Sequence, residues 1–233
     1  MSTIAALDTA TDDVSVAVVR DSEVVAERLV AKAEAGYPRH SEALLTELEA
    51  VVTEVGGWEA VDFLAAGIGP GSFTGLRVGL ATARAIAQSL GIGIVRVGTL
   101  DALARGIAAT ASGGDHPALP VLDARRSQVF AALFDPDGGR RWEPFVASPD
   151  ELAERVAGLP ATALAAGSGA LRFRGELEAA GADVPPDADS AHRVWARHVC
   201  RLAEDGAPSP PEEIRPIYLR PPDAQVWLER DSP

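Results

Sequence analysis

Apolar and polar positions divide this chain of 233 residues into short segments of two kinds. Where apolar residues fall at every second position, as at Val14, Val16 and Val18, the period is that of a strand. On this ground strands are expected near 3–8, 14–20, 23–30, 62–68 and 92–97. A second group is expected near 119–124, 128–134 and 161–166, with a short final strand over 214–219. Where apolar residues recur every three or four positions the period is helical. Leu44, Leu45, Leu48, Val51, Val52 and Val55 predict an amphipathic helix over 38–55, closed by Gly56-Gly57. Further helices are expected over 74–90, 102–109, 149–157, 169–180 and 190–204. Ser148-Pro149-Asp150-Glu151 reads as a capping box with Pro at the first helical position. Pro208 to Pro211 breaks the chain, and the residues after Arg220 read as a frayed tail.

The pattern repeats. Leu7-Asp8, Val14, Val16 and Val18 recur 115 residues later as Leu122-Asp123, Val129, Ala131 and Leu133. Each set reads as a strand ending in Asp, a polar turn and a second strand, which points to a duplicated fold. Ala111-Ser112-Gly113-Gly114-Asp115 reads as the linker. The expected domains are a first lobe over 1–110, a smaller second lobe over 111–220 and the tail 221–233. The last helix of the second lobe is a candidate for packing back on the first.

One connection stands out. Gly69-Pro70-Gly71-Ser72-Phe73-Thr74-Gly75-Leu76-Arg77 joins an apolar strand to an Ala-rich helix. Such a turn can aim backbone N–H groups and a helix N-terminus at an anion. It can equally be a tight connection without a ligand. It matches neither a Walker A loop nor a dinucleotide fingerprint. Asp8, Gly69, Gly71, Ser72, Thr74 and Arg77 are the candidate phosphate or nucleotide residues. Ala10 stands where a phosphate hairpin of Asp-x-Gly type has glycine, and its Cβ would crowd a phosphate. As a nucleophile Ser72 would need a base, and helix capping by Ser72 or Thr74 is the simpler role. The four histidines are scattered, and Cys200 is expected in the core.

Composition narrows the function. The apolar fraction of 47% is enough for a sizeable core. A net charge of −13 disfavours holding a nucleic-acid backbone alone, so any tRNA would be reached through a basic partner. A single Cys excludes a disulfide framework and suits a reducing, cytoplasmic compartment. No signal peptide or membrane-spanning run is read in the sequence.

Two such halves, each opening with an Asp-ended strand and hairpin, predict an α/β, duplicated actin-like ATPase (ASKHA) fold with two lobes, the second smaller. Leu7-Asp8-Thr9, Pro38-Arg39-His40-Ser41-Glu42, the turn Gly69 to Arg77, Thr99-Leu100, Leu122-Asp123-Ala124-Arg125 and Arg215-Pro216-Ile217-Tyr218-Leu219-Arg220 together resemble the TsaB family, also called YeaZ. The resemblance runs from Ile4 to Arg220. It implies a non-catalytic partner of the paralog TsaD, which transfers a threonylcarbamoyl group to an adenosine beside the anticodon of tRNA. It also implies the ATPase TsaE in the larger complex, and a homodimer when the partner is missing. The paralog's histidine pair falls on Thr99 and Leu103 here, so no metal and no catalytic residue are expected. No cofactor is expected on the isolated chain, and ATP or ADP is a candidate only at the junction of the complex. The alternatives are an actin-like kinase or ATPase, or an inactive member of the glycopeptidase-like superfamily. The expected partner surface is the outer side of the helices 38–55 and 74–90, with His40, Leu44, Leu48, Val51, Val78 and Ala85 as candidates.

Overall fold

A computed structural model describes residues 2–31, 40–110 and 114–220, with the backbone alone for 40–42. The first sheet starts as a meander. β1 (Thr3–Asp8) pairs antiparallel with β2 (Val14–Arg20), and β2 with β3 (Glu23–Val30). The chain then runs through α1 (His40–Thr53) into β4 (Phe63–Gly67), α2 (Phe73–Leu90) and β5 (Ile94–Val97). β4 and β5 add in parallel on the other side of β1, giving the order β3-β2-β1-β4-β5. After α3 (Thr99–Ala108) the plan repeats: β6 (Ala118–Arg125), β7 (Gln128–Phe134) and β8 (Arg140–Ala147), then α4 (Pro149–Ala157) and β9 (Leu164–Ala166). The second sheet has the order β8-β7-β6-β9, the first four positions of the same plan. The 115-residue repeat is therefore structural. Its hairpins differ by one residue in register, since Asp8 faces Ser15 whereas Asp123 faces Val129. The tighter second turn, with Arg125, Arg126 and Ser127 all at positive φ, accounts for the slip.

Three apolar layers hold the lobes. α1 and α2 cover one face of the first sheet. α4, α5 (Ser168–Arg172) and α6 (Arg174–Ala179) cover the outer face of the second. Between the sheets lies a shared core in which α3 packs on β6 and α7 (Ala196–Ala203) packs on β1 and β2. Each of these helices thus packs on the sheet of the opposite half. β1 is buried along its whole length because both faces of its sheet are covered.

Several expected bounds move. The first helix starts at His40, with 38 and 39 outside the described residues, and its last turn loosens before Gly56 and Gly57, both at positive φ. Of the expected linker, 111–113 lie outside the described residues, as does the tail 221–233. α3 begins at Thr99, three residues before the expected start. The 169–180 helix is broken at Phe173, whose backbone is not helical. The stretch 190–204 is a single 3-10 turn at Ser190–His192, an extended link, then α7. The final strand over 214–219 does not form. Pro216 has no N–H to give a ladder, and a single bond from the Ile217 N–H to the Ile68 carbonyl ties the segment to the sheet. β8 was not foreseen, because Arg140-Arg141-Trp142-Glu143-Pro144 is a charged, Pro-bearing sheet edge without clean alternation.

Leu44, Leu48 and Val51 are fully buried in the chain's own core beneath the first sheet. They are therefore withdrawn as partner-facing residues: the apolar stripe of α1 is what attaches that helix to β2. Ala85 is exposed and Val78 half-buried, so both remain on the accessible side of α2. His40 lies at the start of α1, and its side chain is outside the description.

Candidate functional site

The glycine-rich turn packs against its own chain. Ser72 caps α2, accepting from the Gly75 N–H at 3.3 Å. The Ser72 N–H donates to the Ala10 carbonyl at 2.6 Å, and the Thr9 hydroxyl donates to the Gly75 carbonyl at 2.8 Å. A Cβ on Gly71 would stand 2.2 Å from the Ala10 oxygen, and one on Gly75 would stand 2.0 Å from the Thr9 oxygen. These two glycines are needed for the approach of the first hairpin. Hairpin and turn are thus in direct contact at these glycines.

Asp8, at the end of β1, is 1% exposed. Its carboxylate accepts from the Ala10 N–H at 2.8 Å and from the Thr99 hydroxyl at 2.8 Å. Thr99 in turn accepts from the Gly69 N–H at 3.2 Å, and its own N–H donates to the Gly69 carbonyl at 2.8 Å. Burial pushes the Asp8 carboxyl up from 3.8 to about 6, against the two hydrogen bonds, which pull it down. Asp8 therefore joins the first hairpin, the glycine turn and the start of α3.

Beyond the turn, the lobes enclose a cleft of about 820 Å³. Ser72, Thr74 and Arg77 reach its lining, whereas Asp8 and Gly69 do not. Every carboxylate lining it is ion-paired. Asp12 pairs with Arg125 at 3.2 Å and Asp13 with Arg193 at 2.8 Å, both across the lobes. Asp123 pairs with Arg172 at 2.9 Å and with Arg125 at 3.6 Å, and Asp187 pairs with Arg174 at 2.7 Å. His192 is held by the Gly167 N–H and the Pro185 carbonyl. Arg77 lies over the Phe73 ring at 3.8 Å. The cross-lobe pairs were missed in the sequence. The acids of the first turn were visible there, but their partners lie 113 and 180 residues away.

The region of the expected histidine pair is equally occupied. The Thr99 hydroxyl serves Asp8 and Gly69, and Leu103 is fully buried in the shared core. Among the described residues no group of three His, Cys, Asp or Glu has metal-holding geometry. Cys200 is buried, and that burial raises its thiol well above the ordinary range.

A family model described as "TsaD: tRNA N6-adenosine threonylcarbamoyltransferase" matches residues 32–178. The TsaB protein of Escherichia coli, named for tRNA threonylcarbamoyladenosine biosynthesis, is 28% identical over 235 residues, covering 93% of this chain and 94% of that one. The chain belongs to this family, in its TsaB (YeaZ) branch. An uncharacterized protein of Mycobacterium tuberculosis is 34% identical over 230 residues, 97% of this chain and 95% of the relative. A relative from Mycobacterium leprae is 39% identical over 171 residues, which are 69% of this chain and 44% of that protein. The solved structure of YeaZ from Pseudomonas aeruginosa aligns with a TM-score of 0.72 at 27% identity, over 94% of this chain and all of the other. A ROK hexokinase from Thermus thermophilus shares the fold alone, with a TM-score of 0.50 at 13% identity over 88% of this chain and all of that one. The actin-like architecture of the TsaB (YeaZ) branch is thus established for this chain.

Proposed function

We propose that this chain is a non-catalytic scaffold subunit that binds and activates a TsaD homolog in making threonylcarbamoyladenosine in tRNA. The observation that carries the reading is the state of Thr99 and Leu103. Where the catalytic paralog is expected to hold its metal, one side chain is bonded to Asp8 and the other is packed in the core. The chain has the fold of its branch, and among the described residues no group of three or more His, Cys, Asp or Glu could hold a metal ion. The partner surface is the outer side of α2, with Val78 and Ala85 the accessible candidates and His40 the candidate from the start of α1. Homodimerisation through the same face is the expected behaviour without the partner, because exposed apolar surface seeks cover. TsaE joins the larger assembly, and tRNA is met only through it. Any ATP or ADP belongs to the junction of the complex. No helix among the described residues is long and apolar enough to cross a membrane, which is compatible with work in the cytoplasm.

The deciding experiment is co-purification with the TsaD homolog, followed by tRNA modification with and without this chain. Modified tRNA is expected only when both proteins are present. Product from this chain alone, or full activity of the TsaD homolog without it, would overturn the reading.

A further inference from the structure

The last described stretch leaves α7 and crosses from one lobe to the other. Ser209 pairs with Ile94 along the edge of β5. Arg84 of α2 donates to three carbonyls of this stretch, those of Pro211 at 3.0 Å, Glu212 at 3.3 Å and Ile214 at 2.6 Å. The Ile217 N–H then donates to the Ile68 carbonyl at 2.7 Å. The Ile217 carbonyl lies 3.0 Å from where a Cβ on Gly69 would stand, so that glycine, at φ +98°, is fitted to this segment. The Tyr218 ring sits 5.3 Å from the Phe73 ring at the start of α2. Finally Arg220 reaches the second lobe, donating to the Ala124 carbonyl at 3.0 Å and to Gln128 Oε1 at 3.2 Å. Ile217 and Leu219 line both the 820 Å³ cleft and a second cavity of about 490 Å³ between the lobes. The segment is the wall between the two spaces.

We propose that residues 211–220 form a strap that closes the interlobe cleft from within the chain, and that the TsaD homolog docking on the outer face of α2 controls it. The strap is attached at its two ends chiefly by arginine-to-carbonyl bonds, which can exchange for water without a charge being buried. The cleft's carboxylates are already ion-paired, so backbone anchoring rather than charge decides access. Phe73, Arg77 and Tyr218 line the cleft and also stand at the accessible start of α2, which makes the two surfaces continuous. The control by docking rests on the reading that α2 is the partner face.

Amide hydrogen exchange on the full chain tests both halves of the proposal. In Arg220→Ala and in Arg84→Ala, the strap and the 124–128 turn are expected to exchange about tenfold faster, with α4 unchanged. Unchanged strap rates, or a rise shared equally by α4, overturn the strap. Added TsaD homolog is expected to slow strap exchange in the unmodified chain. If it binds and strap rates stay the same, control from α2 is overturned while the docking reading stands. If it does not bind, the docking reading falls and the control with it, and the closure is still decided by the free-chain measurements.

Discussion

Asp8 and His198 are buried titratable groups with opposite signs, and they set an acid response that composition cannot show. The Asp8 carboxyl is raised to about 6 by burial, so the folded chain binds its proton more tightly than the unfolded chain does. Its stabilising effect is complete below about pH 4 and is lost as pH rises through 6. His198 is lowered from 6.5 to about 4, first by burial and then by Arg197, Arg105 and Arg201, and its Nδ1 has no partner. Its effect runs the other way, with stability lost as pH falls below 6.5 towards 4. The two oppose each other over that window, each worth roughly 3 kcal/mol at most. Thermal melts from pH 4 to 8 should therefore be flatter for the unmodified chain than for Asp8→Asn, in which only the His198 response is left. Asp8→Asn is expected to raise the melting temperature at pH 8 relative to the unmodified chain and to lose that advantage at pH 4. An Asp8→Asn advantage that is the same at every pH would refute the assignment.

At the scale of elements, α1 and α2 look alike in sequence and differ in what they expose. Both have an apolar stripe, and in α1 Leu44, Leu48 and Val51 are under the first sheet while Leu45 is exposed. α2 is seated by Leu76, Leu80, Ala83 and Ala87, leaving Ala85 outward. Val51→Arg should unfold the chain, since an unpaired charge in that core costs several kcal/mol. Ala85→Glu should melt within about 1 kcal/mol of the unmodified chain and yet no longer co-elute with the TsaD homolog. Circular dichroism and size-exclusion chromatography read both outcomes. An Ala85→Glu chain that still co-elutes places the contact elsewhere.

At the scale of the molecule, the cleft between the lobes resembles a ligand site in shape and differs from one in its contents. Its hairpin turns are joined to each other by Asp12–Arg125 and Asp13–Arg193, and the glycine turn is closed against Ala10. Titration calorimetry on the isolated chain should show no heat up to about millimolar ATP, the weak end of ligand affinities. Micromolar binding, or turnover that Asp8→Ala abolishes, would favour a kinase-like chemistry instead.

The sequence by itself determined most of the elements and their duplication, but not β8 or the break of the 169–180 helix. Leu7-Asp8 and Leu122-Asp123, with their following alternations, marked two copies of one hairpin, and Ser148 to Glu151 and Ser72 marked two helix starts, because caps and periodicity are local. It also marked the glycine turn, since Gly71 and Gly75 stand where only a small residue fits. What that turn packs against was decided by the tertiary structure, and it is the Thr9-Ala10 hairpin. Tertiary structure also decided which stripe is core. A helical period says that one face is covered and is silent on whether the cover is the chain's own sheet or a partner. The exchange of α3 and α7 between sheets, the cross-lobe ion pairs and the strap from Arg84 to Arg220 depend on residues far apart in the chain. Such contacts leave no periodic trace, because each is made by single side chains that meet only after both lobes have folded.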